Sequence, residues 1–405
     1  MSQSLRSALV LLVGGAALVF VLGRFVAQPD FKFPKDFLEY WASGRLNLRG
    51  ENPYDAEKLF AEQLAAQPDR DHAVMMWNPP PSLAVYMPVA LLPARWASLM
   101  WQGVQFAAIM LACHLLWQVY GVRVPGRSSG GAETDRGPWY AAVAGFACVG
   151  TWWVVGYGQN TGLLALGLAG FLYYTHKGKP LAAGACAALT ALKPHLLAGF
   201  GALYIADALT RRGRVALGAG VAVVAAALAV AVLANPHVVG QFLAAVRDPG
   251  PYTVPLHGWK LPVPSYWLRV WIDFDSFWIQ FVPCMVASAA LVTWRLRAGR
   301  DWDWVRAMPA VVAVSVLTTP YGGWIFDLPV LLVPVVWCTA RLAPTPGRLY
   351  AFFAAQAVVI AVSFAFPSAL QNYFWVAPAA LALCLLGFRR SLAAAAEPRL
   401  APAPA

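Results

Sequence analysis

Apolar stretches long enough to cross a lipid bilayer recur along almost the whole chain, and they constrain the fold more than any other feature. A helix needs about 20 consecutive apolar residues to cross the hydrocarbon core. Of the 405 residues, 60% are hydrophobic and only 12% are charged. A soluble fold would require several long helices that are hydrophobic on every side. The sequence therefore predicts an all-α polytopic membrane protein.

The six cysteines and the basic net charge do not indicate a metal site, a disulfide framework or nucleic-acid binding. The cysteines lie within apolar stretches, and none forms a CxxC pair. The net charge is +11, but Lys and Arg occur in short clusters between apolar stretches. This spacing indicates membrane topology, because loops on the cytoplasmic side are enriched in Lys and Arg.

Twelve membrane helices account for the apolar stretches and the basic clusters together. Arg6 precedes the first stretch and no clear cleavage site follows it, so we interpret this stretch as an uncleaved helix. With the N-terminus inside, every basic cluster falls on the cytoplasmic side of a plasma (inner) membrane, as does the C-terminus. The predicted helices are residues 8–27, 95–120, 139–156, 161–176, 180–193, 194–209, 215–234, 278–297, 305–319, 325–341, 349–366 and 373–388.

We expect one integral membrane domain over residues 1–390 and a flexible cytoplasmic tail over residues 391–405. Residues 82–93 are apolar but too short to span, so they predict an interfacial helix on the outer surface. Two long outer segments remain, residues 28–94 and 235–277. Loops of this length are usually functional or disordered, and the many aromatic residues of the second argue against disorder.

Polar motifs converge on the outer side of this topology. Because of this shared side, Asp36 and Lys193 are expected to face one cavity. The motifs are Asp36 with Glu39, Trp77-Asn78-Pro79-Pro80-Pro81, Gly158-Gln159-Asn160-Thr161, Lys193-Pro194-His195, and Thr319-Pro320-Tyr321-Gly322-Gly323-Trp324 followed by Asp327.

Asp36 admits two interpretations from the pattern alone. It is either a general base that takes a proton from an acceptor hydroxyl, or a helix N-cap or surface carboxylate that balances Lys32 and Lys35. Base catalysis requires one carboxylate held near the acceptor and tuned by its neighbours. Glu39 is expected to orient this region or to pack against Arg45.

Lys193 is the other residue that the pattern singles out. A lysine inside an apolar stretch is costly near hydrocarbon and indicates a functional site. Pro194 breaks the helix and starts a new helix N-terminus, which attracts anions. With His195 beside it, this segment predicts a phosphate site. The alternative is a lysine whose side chain extends to the membrane interface.

The remaining candidates carry weaker signals. The Gln159-Asn160 string is either a tight turn or a set of amides for sugar hydroxyls. His257, Lys260 and Arg269 in the second outer segment are candidate phosphate contacts, although cations are common in loops. Asp36 and Glu39 could ligate a metal, but two carboxylates alone predict none.

These motifs, in this order, resemble glycosyltransferase family 87, the polyprenol-phosphate-mannose-dependent mannosyltransferases of the GT-C membrane superfamily. The resemblance covers about residues 30–330. It implies a GT-C fold with outer-face interfacial helices and an active site that faces away from the cytoplasm. It also implies an inverting single displacement. The matching strings are Asp36–Trp41 with Gly50 and Asn52–Asp55, Asn78–Pro81, Gly158–Asn160, Lys193-Pro194, and Thr319-Pro320 with Trp324.

The family pattern also implies roles for single residues. Asp36 would be the catalytic base, and Lys193 with His195 would face the donor phosphate. Family members often carry a histidine just after the tryptophan of the last motif, whereas this chain has Asp327 three residues after Trp324. The residues expected to contact substrate are Glu39, Asn78, Gln159, Asn160, Lys193, His195, His257, Lys260, Trp324 and Asp327.

The expected partners follow from this resemblance. They are a polyprenyl-phosphate-sugar donor, a glycan or glycolipid acceptor, and the lipid bilayer. Because the lipid phosphate is already an activated leaving group, no nucleotide, metal or other cofactor is expected. The alternative function is a transporter or flippase of lipid-linked saccharides. Such proteins usually have two related halves and a binding site near mid-membrane, whereas these motifs cluster at one face and no repeat is evident.

Overall fold

The computed structural model describes residues 32–121, 137–248, 258–366 and 370–396, and every regular element in these ranges is helical. The chain divides into two compact units. The first is Met1–Val104 with Ala231–Thr253, and the second is Gln105–Val230 with Val254–Ala405. The first predicted membrane helix, residues 8–27, and His257 lie outside the described residues. The expectation of one integral domain over residues 1–390 stays a prediction.

The first unit is built on the helix Phe37–Leu48, which packs against the short helix Leu83–Ala90. Gly44 permits this close contact, because a Cβ there would lie 2.8 Å from the Cβ of Ala90. Its helices are Phe37–Leu48, Ala56–Ala66, Leu83–Ala90 and Val238–Arg247, a 3-10 turn at Pro80–Ser82, the start of Ala94–Tyr120 and the end of Arg211–Ala234. The segment predicted as an interfacial helix, residues 82–93, thus contains a helix too short to span a bilayer.

The second unit holds most of the remaining helices. They are Gly137–Ala147, Val149–Tyr157, Thr161–His176, Pro180–Ala187, Ala198–Asp207, Pro264–Ile272, Val282–Ala298, Trp304–Leu317, Leu332–Leu342, Pro346–Ala365 and Val376–Ala396. Among the described residues of this unit, six 3-10 segments connect or precede them: Ala188–Leu192, Pro194–Leu197, Phe277–Phe281, Gly299–Asp301, Ile325–Leu331 and Leu370–Trp375. The last α-helix continues past residue 391, where the sequence predicts a flexible tail.

The predicted helix 139–156 is two helices rather than one. The helices Gly137–Ala147 and Val149–Tyr157 meet at a bend of 66°. Side chains satisfy carbonyl groups at the break: the Thr151 hydroxyl donates to Gly145 at 2.7 Å, and the Trp152 indole donates to Phe146 at 2.9 Å. Gly150 then lies against Pro329, where any Cβ would come within 2.5 Å of the proline ring. Close packing and side-chain bonds therefore bend a stretch whose apolar pattern is continuous.

Among the described residues, five helices are long and apolar enough to cross a membrane, or six if the bent pair forms one span. The five are Ala94–Tyr120, Arg211–Ala234, Phe277–Asp301, Ile325–Leu342 and Pro346–Ala365. The protein is therefore a multi-pass membrane protein. Each predicted helix from 95–120 to 373–388 coincides with one helical element or two consecutive ones. The count of twelve spans and the GT-C fold stay predictions.

Candidate active site

Asp36 stands at the start of the helix Phe37–Leu48, in the N-cap position, but it does not act as a cap. Its side chain accepts no hydrogen bond from the amides of the first turn, and it is half-buried. Asp55 shows the contrast within the same unit, because its Oδ1 accepts from the amides of Glu57 and Lys58 at 3.0 Å each. Capping therefore does not explain the carboxylate at position 36.

A guanidinium group lies close to Asp36. Arg70 donates to the carbonyl oxygen of Lys35 at 2.8 Å and to Oε1 of Gln63 at 3.4 Å. Burial lowers the pKa of Arg70, and the negative charge of Asp36 is the largest of the effects that oppose this. Glu39 opposes it as well. Asp36 and Glu39 thus both lie near the Arg70 guanidinium.

Glu39 lies inside the first unit rather than on its surface, with 7% of the residue exposed. The pKa of Tyr40 is raised well above its ordinary value, first by burial and then by the charge of Glu39. Arg45, which the sequence suggested as a partner for Glu39, donates to Glu62 at 3.0 Å and lies over the ring of Trp41. A glutamate buried beside a tyrosine is suited to orienting this helix.

Asn78 joins two of the sequence motifs. Its side-chain amide donates to the hydroxyl of Tyr86 at 2.8 Å, and its backbone carbonyl accepts from the hydroxyl of Tyr54 at 3.1 Å. Tyr86 in turn stacks on Tyr40, with ring centroids 4.5 Å apart. Asn78 is buried, so its contacts fix the Asn-Pro-Tyr and Asn-Pro-Pro segments against the helix that Asp36 begins.

In the second unit, Lys193 forms a buried ion pair with Asp327. The Lys193 ammonium donates to Oδ1 of Asp327 and to Oε1 of Gln159, both at 2.7 Å, and only 7% of the residue is exposed. Its Nζ lies 5.4 Å from the centre of the Phe326 ring. The alternative in which this lysine extends to the membrane interface is therefore wrong.

Asp327 is the centre of this network and is 1% exposed. Besides Lys193, its Oδ1 accepts from the hydroxyl of Thr161 at 3.1 Å, and its Oδ2 accepts from the backbone amide of Trp324 at 3.1 Å. Three helix interruptions meet here: the turn before Thr161, the break at Lys193, and the start of the 3-10 segment Ile325–Leu331. A carboxylate enclosed in this way fixes the backbone around it.

Each interruption has a local cause in the sequence. Gly158 ends its helix in the left-handed conformation, with φ of 71°. Lys193 is extended, with φ of −140°, because the residue before a proline avoids the helical region. Gly322 and Gly323 both have positive φ, at 72° and 71°, just before Trp324. These backbone constraints bring Gln159, Lys193 and Asp327 together.

His195 lies at the edge of this network and is half-buried. Its backbone carbonyl accepts from the hydroxyl of Thr319 at 3.0 Å, and its ring packs edge-on against Tyr321, with centroids 5.0 Å apart. Gly322 leaves room for the imidazole, because a Cβ there would lie 2.9 Å from Nε2 of His195 and 3.3 Å from Oδ2 of Asp327. The histidine of one motif is thus placed beside the glycines of another.

An aromatic wall formed by Trp259, Tyr321 and Trp324 continues from His195. The Trp259 and Tyr321 rings are stacked with centroids 5.4 Å apart, and Trp324 lies 6.5 Å from Trp259. The wall packs against a buried cluster of Leu261, Val263 and Tyr266. All three rings are partly exposed, and Lys260, next to Trp259, is exposed.

Arg269, a candidate phosphate contact from the sequence, is instead a buried structural residue. It is 1% exposed, and it donates to the carbonyl of Phe274 at 2.7 Å and to Oε1 of Gln280 at 3.0 Å. Gln280 then donates to the carbonyl of Pro320. The guanidinium therefore supports the segment that carries Thr319 and Tyr321, and it is not presented to a ligand.

The structure thus groups the predicted residues by unit. Gln159, Lys193, His195, Trp324 and Asp327 belong to one region of the second unit, and the buried Asn160 is in the turn next to Gln159. Asp36, Glu39 and Asn78 belong to the first unit. Because Asp36 and Lys193 are in different units, their shared cavity stays a prediction.

Sequence reasoning missed three supporting residues, Arg70, Thr161 and Gln280. Thr161 was inside a quoted motif, whereas a lone arginine in the first outer segment and a lone glutamine in the predicted helix 278–297 gave no signal. Within the described ranges, no group of three or more His, Cys, Asp or Glu side chains is arranged to hold a metal ion.

Comparison with known proteins identifies the family. Residues 77–320, more than half of the chain, match glycosyltransferase family 87. Searches of curated proteins and of solved structures find no match. The predicted family is therefore confirmed by a match that runs from Trp77 to Pro320; the motif at Asp36 and the residues from Trp324 onward lie outside the matched range.

Proposed function

The chain belongs to glycosyltransferase family 87, and we propose that this membrane glycosyltransferase takes a hexose, with mannose the first to test, from a polyprenyl-phosphate donor. The acceptor is a hydroxyl of a lipid-linked sugar or glycan. The reaction takes place on the extracytoplasmic face of the plasma membrane, where the topology of the basic clusters puts the polar motifs.

In the proposed reaction, the acceptor oxygen attacks the anomeric carbon while the carboxylate of Asp36 takes its proton. The bond from the anomeric carbon to the phosphate oxygen breaks, and polyprenyl phosphate leaves with the bonding electrons. A single displacement of this kind inverts the anomeric configuration. Positive groups stabilise the negative charge that develops on the departing phosphate.

The observation that carries this proposal is the position and exposure of Asp36. It occupies the position of a helix cap without capping the helix, and it keeps part of its surface exposed. Arg70 is close enough to influence its charge. A general base must be able to reach the acceptor hydroxyl, and a half-buried carboxylate near a cation is suited to this role.

The donor phosphate is proposed to lie along the Lys193–His195 segment. Lys193 is already paired with Asp327 and 7% exposed, so its contribution is a fixed field and a fixed backbone rather than a flexible contact. His195 is half-buried beside the aromatic wall and is the group of this segment with surface available to a ligand. The partly exposed aromatic rings offer faces to the hexose.

The test is transfer of labelled hexose from a polyprenyl-phosphate donor by the purified protein in nanodiscs. We expect Asp36→Asn to reduce kcat about 10²–10⁴-fold, the usual range for removal of a general base. Asp55→Asn is the matched control, because it makes the same change at another helix start of the same unit. Transfer at the wild-type rate in Asp36→Asn, or no transfer by the wild type with every such donor, would falsify the proposal.

A further inference from the structure

The segment from Val270 to Phe281 exposes an unusual number of large apolar side chains. Trp271 is 78% exposed and Trp278 is 66% exposed, which are the two largest values among the large apolar side chains of this stretch. Val270, Ile272, Phe274 and Phe281 are also exposed. We call residues 270–281 the aromatic segment. Exposed apolar clusters of this kind mark contact with a partner or with lipid.

The other side of the same segment is firmly attached to the second unit. In the helix Pro264–Ile272, the buried residues are Ser265, Tyr266 and Arg269. The Ser265 hydroxyl donates to the carbonyl of Thr318 at 3.3 Å, and Tyr266 belongs to a buried cluster. The helix is therefore fixed by one face, and the exposed side chains point away from that face.

Lipid is the partner that the chain itself indicates. The membrane span Phe277–Asp301 begins within the aromatic segment, so Trp278 and Phe281 are at the first turn of a helix that enters the bilayer. The exposed surface is thus continuous with a helix that is long and apolar enough to cross a membrane. Tryptophan is enriched at the level of the lipid headgroups, because its ring is apolar and its N–H can remain hydrated.

Acidic residues mark the water side of the segment. Asp273 and Asp275 are exposed between the aromatic residues. Asp273 accepts hydrogen bonds from the amide of Asp275 and from the hydroxyl of Ser276, at 3.1 Å and 2.5 Å. Carboxylates held in a turn of this kind stay hydrated, which sets the depth to which the neighbouring rings can enter.

We propose that the aromatic segment is a membrane-interface anchor, with Trp271 and Trp278 in the lipid interface and Asp273 and Asp275 in water. The anchor is linked to the candidate site through the second unit. Arg269, which directly precedes the aromatic segment, donates to Gln280, and Gln280 donates to the carbonyl of Pro320. The bilayer surface therefore supports the segment that carries Thr319 and Tyr321.

The experiment places a spin label at Trp271→Cys, Trp278→Cys and, as the control, Asp275→Cys in the full chain in nanodiscs. Power saturation compares collision with oxygen, which partitions into lipid, and with a nickel chelate, which stays in water. We expect oxygen contact to exceed nickel contact at 271 and 278, and the reverse at 275. Wild-type protein treated with the same label gives the background from the six native cysteines.

Two results would overturn the anchor. Nickel contact at 271 and 278 equal to that at 275 would mean that the segment faces water. Weak contact with both reagents would mean that protein, such as a second copy of the chain, covers it. The readout needs no transfer activity, so it is independent of the proposed reaction. Quenching of wild-type tryptophan by brominated lipid, reduced in the double variant Trp271→Phe and Trp278→Phe, checks the result without labels.

Discussion

The carboxylates at Asp36 and Asp327 are held in opposite ways by the two units. Asp327 is 1% exposed and accepts hydrogen bonds from Lys193, Thr161 and the backbone of Trp324. Asp36 is half-buried at a helix start, where it does not cap the helix, and a guanidinium lies near it. Each is an acid in a very hydrophobic chain, so the sequence presents them as equally unusual.

The two carboxylates differ in how accessible they are to a substrate. A carboxylate that is enclosed and bonded on both oxygens can orient the backbone, but it cannot receive a proton from a substrate without breaking its own bonds. A carboxylate with exposed surface and a cationic neighbour can do so. We therefore propose positioning for Asp327 and chemistry for Asp36, and five sets of variants examine this contrast.

The largest effect on stability is expected from breaking the buried pair. Lys193→Met or Asp327→Asn leaves one partner buried without its opposite charge, which costs about 3–5 kcal/mol in comparable pairs. Asp36→Asn, at a half-buried position, should lose less stability than either variant. The measurement is thermal unfolding of the purified protein in detergent. If Lys193→Met unfolds at the wild-type temperature, the pair is not a structural element.

The double variant Lys193→Met with Asp327→Leu separates the two roles of Lys193. Replacing both charges by apolar groups removes the unpaired ion but leaves Thr161, Gln159 and the Trp324 amide without these partners, so we expect part of the lost stability to return. If activity returns with stability, the lysine acts by holding the fold. If stability returns and transfer stays absent, the ammonium acts on the donor phosphate directly.

The next largest effect on stability and on transfer activity is expected at Gly322, which lies against the His195 ring. Gly322→Ala forces a side chain into a backbone with φ of 72° and brings it 2.9 Å from Nε2 of His195. Gly178→Ala is the matched control, because it has φ of 66° and nothing within 4 Å of the added carbon. Both should lose about 1–2 kcal/mol to backbone strain, and only Gly322→Ala should lose transfer activity as well. Equal activity in the two variants would argue against a role for His195.

A smaller effect is expected from Arg70. Removing its charge in Arg70→Met makes the ionised form of Asp36 less favourable, so the acidic limb of the pH profile of kcat/KM should move to higher pH. For a half-exposed pair we expect a shift of about one pH unit or less. Arg70→Lys keeps the charge and should keep the profile. An unchanged profile in Arg70→Met would mean that Asp36 is not the group that titrates.

The smallest change in stability is expected at the two helix starts, Asp55 and Asp36, whose alanine variants are compared directly. Asp55→Ala removes two hydrogen bonds to the amides of Glu57 and Lys58 and should cost about 1 kcal/mol of stability. It should leave transfer activity intact. Asp36→Ala removes no capping bond, and its main effect should be a loss of transfer of about 10²–10⁴-fold. The pair is measured by unfolding and by the transfer assay on the same preparations.

Helix positions could be predicted from the sequence because apolar length is a local property. The break at Lys193-Pro194 could be predicted as well, since a proline restricts its own φ and the preceding residue. The bend between Ala147 and Val149 could not. It depends on the hydroxyl of Thr151 and on the approach of Pro329 to Gly150, which are contacts between distant parts of the chain.

The candidate site shows the same limit. The sequence identified Lys193 and Asp327 separately and assigned the lysine to a phosphate, because nothing local indicates that the two residues pair. Arg269 was similarly interpreted as a ligand contact, whereas its burial against Phe274 and Gln280 depends on the folded outer segment. Residue type and topology predicted which side chains belong to the candidate site. Only the fold distinguished the buried side chains that hold the backbone in place from those that are accessible to a substrate.

The pairing of Lys193 with Asp327 has a consequence for biosynthesis. The two residues are 134 positions apart, and Thr161, which also bonds to Asp327, lies 166 positions before it. A ribosome adds about 5–20 residues per second, so Lys193 is made about 7–27 seconds before the carboxylate that neutralises it. During that interval the lysine has to remain in contact with water or with the insertion machinery. A chain truncated before Asp327 therefore keeps an uncompensated charge and is a natural substrate for membrane quality control.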